Sequence, residues 1–336
     1  MKIFIRKETY SNEFRCPIVP KDIKELKDSG FEVFIESSNN RCYTDEEYCK
    51  YGGIIVNDSW FNYNDFIIIG IKELNDIYRL NNHIHVYFSH SYKNQNNSKL
   101  ILSEFKKSNS ILYDLEYFLD DNKRLISFGY YAGIVGGGLG ILQYICKSNN
   151  KKLNNLKYWR SIEDLLLCIN LKKNNIFRNI KICIIGSNGK CGSGVIYILN
   201  LLEIPYTCLL RDDDKDKLID FDIIFNCINL QENISTWFDN QTQFYKNLVI
   251  VDISCDYNNP NNPIKIYNNK TTWLEPVFSY NNFVDIIAID NLPSLLPFNS
   301  SIEFSSILIK LLKLYPQNHY YWKNNFKIFK NKINNN

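Results

Sequence analysis

Three places in this sequence combine residue types and spacing that could do chemistry. Ile67-Ile68-Ile69-Gly70-Ile71-Lys72-Glu73 sets a Lys–Glu pair directly after an apolar run that reads as a buried strand. Groups at the carboxyl ends of parallel strands line the ligand crevice of an open α/β sheet. From the pattern alone, a solvated surface pair and a functional pair are equally good readings of Lys72 and Glu73. His85-Val86-Tyr87-Phe88-Ser89-His90-Ser91-Tyr92-Lys93 repeats the arrangement at a second strand end, where His90 and Lys93 could form part of an acid–base site. His83 and His85 alternate with apolar residues and read as structural; His319, in the polar tail, has no nameable partner.

The third place is Gly186-Ser187-Asn188-Gly189-Lys190-Cys191-Gly192-Ser193-Gly194, between an apolar strand at 181–185 and an apolar helix at 195–202. A glycine turn there lets the backbone approach a dinucleotide's pyrophosphate, and the helix N-terminus favours its charge. The next strand, 206–210, ends at Arg211-Asp212, with Asp212 20 residues after Gly192, where an acid would meet the ribose. The spacing is Gly-x-x-Gly-x-x-Gly and not Gly-x-Gly-x-x-Gly, so a glycine-rich turn without a ligand stays open. Asp212 would repel a 2′-phosphate and favours NAD over NADP; Arg211 could accept that phosphate.

Short apolar strands alternating with amphipathic helices must position these groups, which predicts an α/β protein with mainly parallel sheets. Strands are expected at 2–6, 31–36, 54–56, 66–70, 85–88 and 111–114, which complete one doubly wound unit. Pro20 opens a helix that Gly30 closes, and Thr44 caps another. A glycine-rich helix at 129–144 marks a crossover into a second unit, and a helix at 301–314 is expected to return to the first. The reading is two Rossmann-like doubly wound domains with an interdomain cleft: 1–125 plus 298–336 for substrate and catalysis, and 126–297 for NAD.

Composition sets bounds on partners and setting. With 39 Lys plus Arg against 36 Asp plus Glu, no large basic field points to nucleic acid. No apolar run approaches a membrane span, and the opening Met1-Lys2-Ile3-Phe4-Ile5-Arg6 is too short for a leader's apolar region. The ten Cys include no Cys-x-x-Cys pair and no zinc spacing, so reduced thiols in a cytoplasmic protein are expected, with no metal.

Eight short blocks, in order along the chain, resemble the lysine-forming saccharopine dehydrogenases. They are Arg6-Lys7-Glu8-Thr9 with Arg15, Ile69–Glu73, Phe88–Lys93, Leu112-Tyr113-Asp114-Leu115-Glu116, Phe128–Gly133, Gly189–Gly194, Val251-Asp252-Ile253-Ser254, and Ile289-Asp290-Asn291-Leu292-Pro293-Ser294-Leu295-Leu296-Pro297. That family is related to alanine dehydrogenases and transhydrogenases. The resemblance implies cleavage of saccharopine, with NAD and water, to lysine and 2-oxoglutarate by a monomer. It implies Lys72 and His90 as the acid–base pair, and Arg15 and Arg124 on substrate carboxylates. Lys93 would add to the cationic pocket, and Glu73 and Glu116 would offset its charge. Asp290 would neutralise a neighbouring Lys; for these acids a structural ion pair is the competing reading. Cys191 and Cys227 match a cysteine pair near the cofactor that could close to a disulfide on oxidation, with two free thiols as the alternative; Leu292 matches a cofactor contact. The chain departs from the family at Tyr10, often Lys, and at Asn291, often His, and it is shorter. An NADP-linked lysine–2-oxoglutarate reductase and a non-catalytic cofactor-binding module are the competing functional readings.

Overall fold

The computed structural model describes residues 1–93, 97–171, 179–210, 213, 215–230 and 234–334. The chain divides into two compact units, Met1–Ser127 with Pro297–Asn336, and Phe128–Leu296.

The first unit begins with β1 (Lys2–Ile5), α1 (Pro20–Asp28), β2 (Glu32–Glu36), α2 (Asp45–Lys50), β3 (Ile54–Val56), β4 (Ile67–Ile69) and β5 (Ile84–Tyr87). It continues with α3 (Ser98–Lys107), β6 (Ile111–Asp114) and the hairpin β7 (Leu119–Asp120) and β8 (Lys123–Arg124). Pro20 starts α1, where a missing N–H costs nothing, and Gly30 follows its end at φ +85°. Thr44 and Glu47 close a capping box on α2. The six main strands are all parallel, in the order β3-β2-β1-β4-β5-β6. The chain order reverses between β1 and β4, which opens a crevice at their carboxyl ends.

The second unit contains α4 (Gly129–Ser148), α5 (Ile162–Asn170), β9 (Ile182–Ile185), α6 (Lys190–Leu201), β10 (Thr207–Leu209), β11 (Ile223–Asn226), β12 (Leu248–Asp252), β13 (Phe278–Ser279) and β14 (Val284–Ile287). Its sheet runs β10-β9-β11-β12-β14-β13, parallel except for β13 against β14. Here the order reverses between β9 and β11. Helix α6 begins at Lys190, five residues before the expected 195, so Cys191–Gly194 form its first turn rather than a preceding loop. Gly189 takes the extended cap position. Helix α4 packs on α6 through Gly133: a Cβ there would overlap the Cys191 carbonyl, with the Gly194 Cα 2.9 Å away.

The chain then returns to the first unit with α7 (Pro297–Leu314) and α8 (Tyr320–Asn334). Helix α8 occupies what reads in sequence as a polar tail. Its Lys- and Asn-rich composition conceals a stripe, Trp322, Phe329 and Ile333, at helical spacing. Phe329 and Ile333 are buried in one core with Phe4, Ile68, Tyr87, Phe105 and Leu112.

Candidate active site

Because the first sheet is parallel, the segments after β1, β4, β5 and β6 emerge on one edge. They carry Arg6 to Glu8, Gly70 to Glu73, Ser89 to Ser91, and Glu116. The Lys72 peptide is gripped from both sides. Glu8 accepts the Ile71 amide at 2.7 Å and the Lys72 amide at 3.0 Å, while Arg6 Nη2 donates to the Lys72 carbonyl. Arg6 and Glu8 face each other at 3.6 Å, with side chains 3 % and 5 % exposed. Burial pushes the Glu8 carboxyl above its ordinary value, outweighing Arg6 and the two amides. Gly70 is required here, since a Cβ would overlap the Arg6 guanidinium.

His90 lies in the turn after β5 at φ +49°, a conformation that side chains rarely adopt. Its flanking residues hold it there. Ser89 Oγ donates to Asp114 Oδ2 at 2.5 Å and lies 2.6 Å from Ser91 Oγ. Asp114 also accepts the Glu116 amide at 2.9 Å, so one buried carboxylate ties the His90 turn to Glu116. Burial raises Asp114 to about 6 against the help of Ser89 and the Glu116 amide. The His90 ring lies 6.4 Å from that of Phe88 at an interplanar angle of 20°, and its Nε2 is 3.7 Å from Glu73 Oε1. The other Glu73 oxygen accepts the Tyr10 hydroxyl at 3.3 Å, and the Lys72 ammonium lies 5.8 Å from the Tyr10 ring centre. Lys72, Glu73 and His90 are thus brought together, with Tyr10 among them.

A second cluster lies after β6. Glu116 Oε1 is 2.6 Å from Arg124 Nη2 and 3.6 Å from Lys93 Nζ. Both cations are partly exposed, whereas Glu116 is largely covered. Arg15 differs. It is buried, and its Nε and Nη2 both bind the Glu13 carboxylate, which is also buried. The sequence expectation put this guanidinium on a substrate carboxylate; in the structure that edge is taken by Glu13. With Arg6, Glu8 and Arg41 the pair lines a cavity of about 10 Å³, room for about one water.

In the second unit, Gly186 has φ +85°, and a Cβ on it would stand 2.8 Å from the Cys227 carbonyl at the end of β11. A Cβ on Gly192 would stand 2.5 Å from the Ser187 Cα. Gly189, the N-cap of α6, offers no side chain to the first-turn amides, and Ser193 Oγ turns back to the Lys190 carbonyl at 2.8 Å. This is a cradle of backbone amides at a helix start, and its residues fit a dinucleotide pyrophosphate. Cys191 and Cys227 are free thiols, both raised by burial. Arg211 and Asp212, expected at the ribose, lie outside the described residues.

Asp290 pairs with Lys270 at 2.5 Å, a contact that a neutralising role and a structural ion pair explain alike, and Asn291 accepts the Trp273 indole N–H at 3.1 Å. Leu292 opens a short 3-10 helix (Leu292–Leu295) near Gly136 of α4. Sequence reasoning missed the buried set around Asp252. Asn226 donates to Asp252 at 2.9 Å, the Cys255 amide at 3.2 Å, and Tyr267 Oη donates to its other oxygen. Burial lifts Asp252 to about 6 despite these donors. The signal was a lone acid at the end of an apolar strand, as at Asp114. No helix among the described residues is long and apolar enough to cross a membrane.

Comparison with known proteins accords with this geometry. Residues 4–135 match the family described as alanine dehydrogenase/PNT, N-terminal domain. Saccharopine dehydrogenase [NAD(+), L-lysine-forming] of Schizosaccharomyces pombe is 35 % identical over 339 residues, 92 % of each chain. The protein of the same name from Yarrowia lipolytica is 32 % identical over 342 residues, 94 % of this chain and 93 % of that one. Among solved structures, an L-alanine dehydrogenase shares the fold at TM-score 0.72 and 14 % identity, covering 98 % of this chain and 94 % of its own. With relatives this similar over nearly their whole length, the chain belongs to the NAD-dependent, lysine-forming saccharopine dehydrogenase family.

Proposed function

We propose that the protein catalyses the reversible reaction of L-saccharopine, NAD⁺ and water to L-lysine, 2-oxoglutarate, NADH and a proton. The observation that carries this reading is the near full-length similarity to enzymes of that name. The Lys72–Glu73–His90 cluster at the sheet edge is consistent with it. Bound NAD⁺ would supply the hydride acceptor, held at the glycine cradle of Gly186, Gly189, Gly192 and Gly194.

The first unit supplies proton handling. One of Lys72 and His90 takes the proton of the secondary amine as the C–H bond is oxidised to an imine. The pair then moves a proton from water to the imine nitrogen, giving a carbinolamine. Collapse of that carbinolamine releases lysine and 2-oxoglutarate. A histidine suits such work because its unperturbed titration lies near neutrality. Arg124 and Lys93 would meet substrate carboxylates, for which the guanidinium fork is suited, and Glu116 would limit their repulsion. We expect Arg15 to act with Glu13 as one unit there. Asp212 would select NAD at the ribose. We read the protein as a monomer on the resemblance, and as cytoplasmic on cysteines with no Cys-x-x-Cys pair and no zinc spacing.

The test is to mix the protein with NADH, L-lysine and 2-oxoglutarate at neutral pH and follow NADH absorbance. Loss of NADH that needs both co-substrates supports the reading. Turnover with NADPH alone would favour the NADP-linked reductase, and turnover with pyruvate and ammonia would refute the substrate assignment. The double variant Lys72→Met, His90→Gln should lose turnover and still bind NADH.

A further inference from the structure

Tyr10 is nearly half exposed, yet it is not a loose surface residue. Its carbonyl accepts the Asn40 side-chain amide at 2.9 Å and the Glu13 amide at 3.1 Å, which fixes its backbone. Its hydroxyl donates to Glu73 Oε2 at 3.3 Å, and its ring lies 5.8 Å from the Lys72 ammonium. Glu73 presents its other oxygen to His90 Nε2 at 3.7 Å. Tyr10 therefore faces the Lys72 ammonium with its ring and bonds through its hydroxyl to the carboxylate that faces His90.

We propose that Tyr10 is a positioning residue for the reaction, dividing Glu73 so that one oxygen serves His90 while its ring holds the Lys72 ammonium apart from that carboxylate. The proposal rests on the reading of Lys72 and His90 as the acid–base pair. Without the hydroxyl, Glu73 Oε2 loses a donor and is free to turn toward Lys72, whose ammonium the Tyr10 ring faces. A Lys72–Glu73 ion pair favours the charged amine and removes a base from the site. Other ionisable groups bear on the same atoms: Glu8 and Arg6 through the Lys72 peptide, and Asp114 through the Ser89–Ser91 pair beside His90. They are unchanged by substitution at Tyr10, so a difference between variants reports the phenol and the ring.

The experiment compares Tyr10→Phe and Tyr10→Leu in the full chain. It measures kcat and KM for lysine and 2-oxoglutarate, the pH profile of kcat/KM, and NADH affinity by fluorescence. Tyr10→Phe should lower kcat about 3–10-fold, less than a full hydrogen bond to a carboxylate is worth because this one is long and exposed, with KM within about twofold. It should also move one limb of the pH profile by about half a unit or more, as expected when a neighbouring charge turns toward a titrating group. Tyr10→Leu should lower kcat further, by about 3-fold or more, through loss of the ring face. NADH affinity should hold in both, which also reports a folded chain. Wild-type kcat and pH profile in both variants would overturn the proposal. So would a change confined to KM, which would make Tyr10 a substrate contact. Lys72→Met and His90→Gln, run alongside, separate the two levels: if they keep full turnover, the acid–base reading fails and the proposal with it. If they lose turnover while the Tyr10 variants do not, the proposal alone fails.

Discussion

Replacing Glu8 with Gln tests whether the Lys72 peptide is held as the geometry requires. Glu8 offers two oxygens to two amides, Ile71 at 2.7 Å and Lys72 at 3.0 Å. Gln offers one carbonyl and turns an N–H₂ group toward the second amide. A covered amide without an acceptor costs about 1–3 kcal/mol. Arg6, 3.6 Å away, also loses its carboxylate partner. Removing one member of a buried ion pair costs about 3–5 kcal/mol when the whole side chain is lost. A neutral isostere costs less, and less again here because burial already raises Glu8 toward its neutral form. The expected total is about 2–4 kcal/mol. Lys72 should move with its peptide, and a misplacement of about 1 Å costs on the order of 100-fold in rate. Urea unfolding at pH 7 and steady-state NADH consumption read the two effects. A loss below about 0.5 kcal/mol, within ordinary surface-mutation scatter, together with kcat within about twofold, would refute the clamp.

Three other outcomes follow from the same geometry. Gly192→Ala places a Cβ 2.5 Å from the Ser187 Cα; NADH affinity should fall at least about 10-fold, the equivalent of 1.4 kcal/mol, by fluorescence titration. His85 is fully buried with both ring nitrogens unpartnered, and burial, with Arg6 and His83, holds it well below its ordinary value. The folded state therefore binds fewer protons than the unfolded one as pH falls below 6.5. This group should remove up to about 1.4 kcal/mol of stability per pH unit, and His85→Leu should flatten that slope in urea titrations between pH 7 and 5. Asp114 works in the opposite sense: raised from 3.8 to about 6, it binds a proton first in the folded state. Relative to Asp114→Asn, the wild type should gain up to about 3 kcal/mol as pH falls from 6 to 4, read by the same titrations.

Much of this arrangement is legible in sequence because strand ends are legible. Apolar runs such as Ile67-Ile68-Ile69 locate buried strands, and whatever polar groups follow them must lie at one edge of a parallel sheet. That alone puts Lys72, His90 and Gly186 at strand ends. The structure adds what depends on three-dimensional pairing. Nothing in the local pattern says that Glu8 reaches across 64 positions to the Lys72 amide, or that Asp114 reaches Ser89 across 25. The Glu13–Arg15 pair was within reach, since it spans two residues, but the role given to Arg15 came from the resemblance, which names a ligand carboxylate and not an internal partner. Helix α8 was missed because Lys and Asn dominate its composition, while burial depends on Trp322, Phe329 and Ile333 and not on the average.

Helix α4 carries five interior glycines, Gly133, Gly136, Gly137, Gly138 and Gly140. At about 0.5–1 kcal/mol each relative to alanine, they make the isolated segment a poor helix former, and nucleation adds to the deficit. Its helicity must come from neighbours: Cys191 and Ile198 of α6, Phe225 of β11, Val251 of β12 and Leu165 of α5, each close to where one of those glycines would carry a Cβ. Those neighbours lie later in the chain. During synthesis, α4 leaves the ribosome ahead of every surface able to order it. It should therefore be the last part of its unit to become helical, contributing little to the folding transition state and acting mainly on the rate at which the unit comes apart.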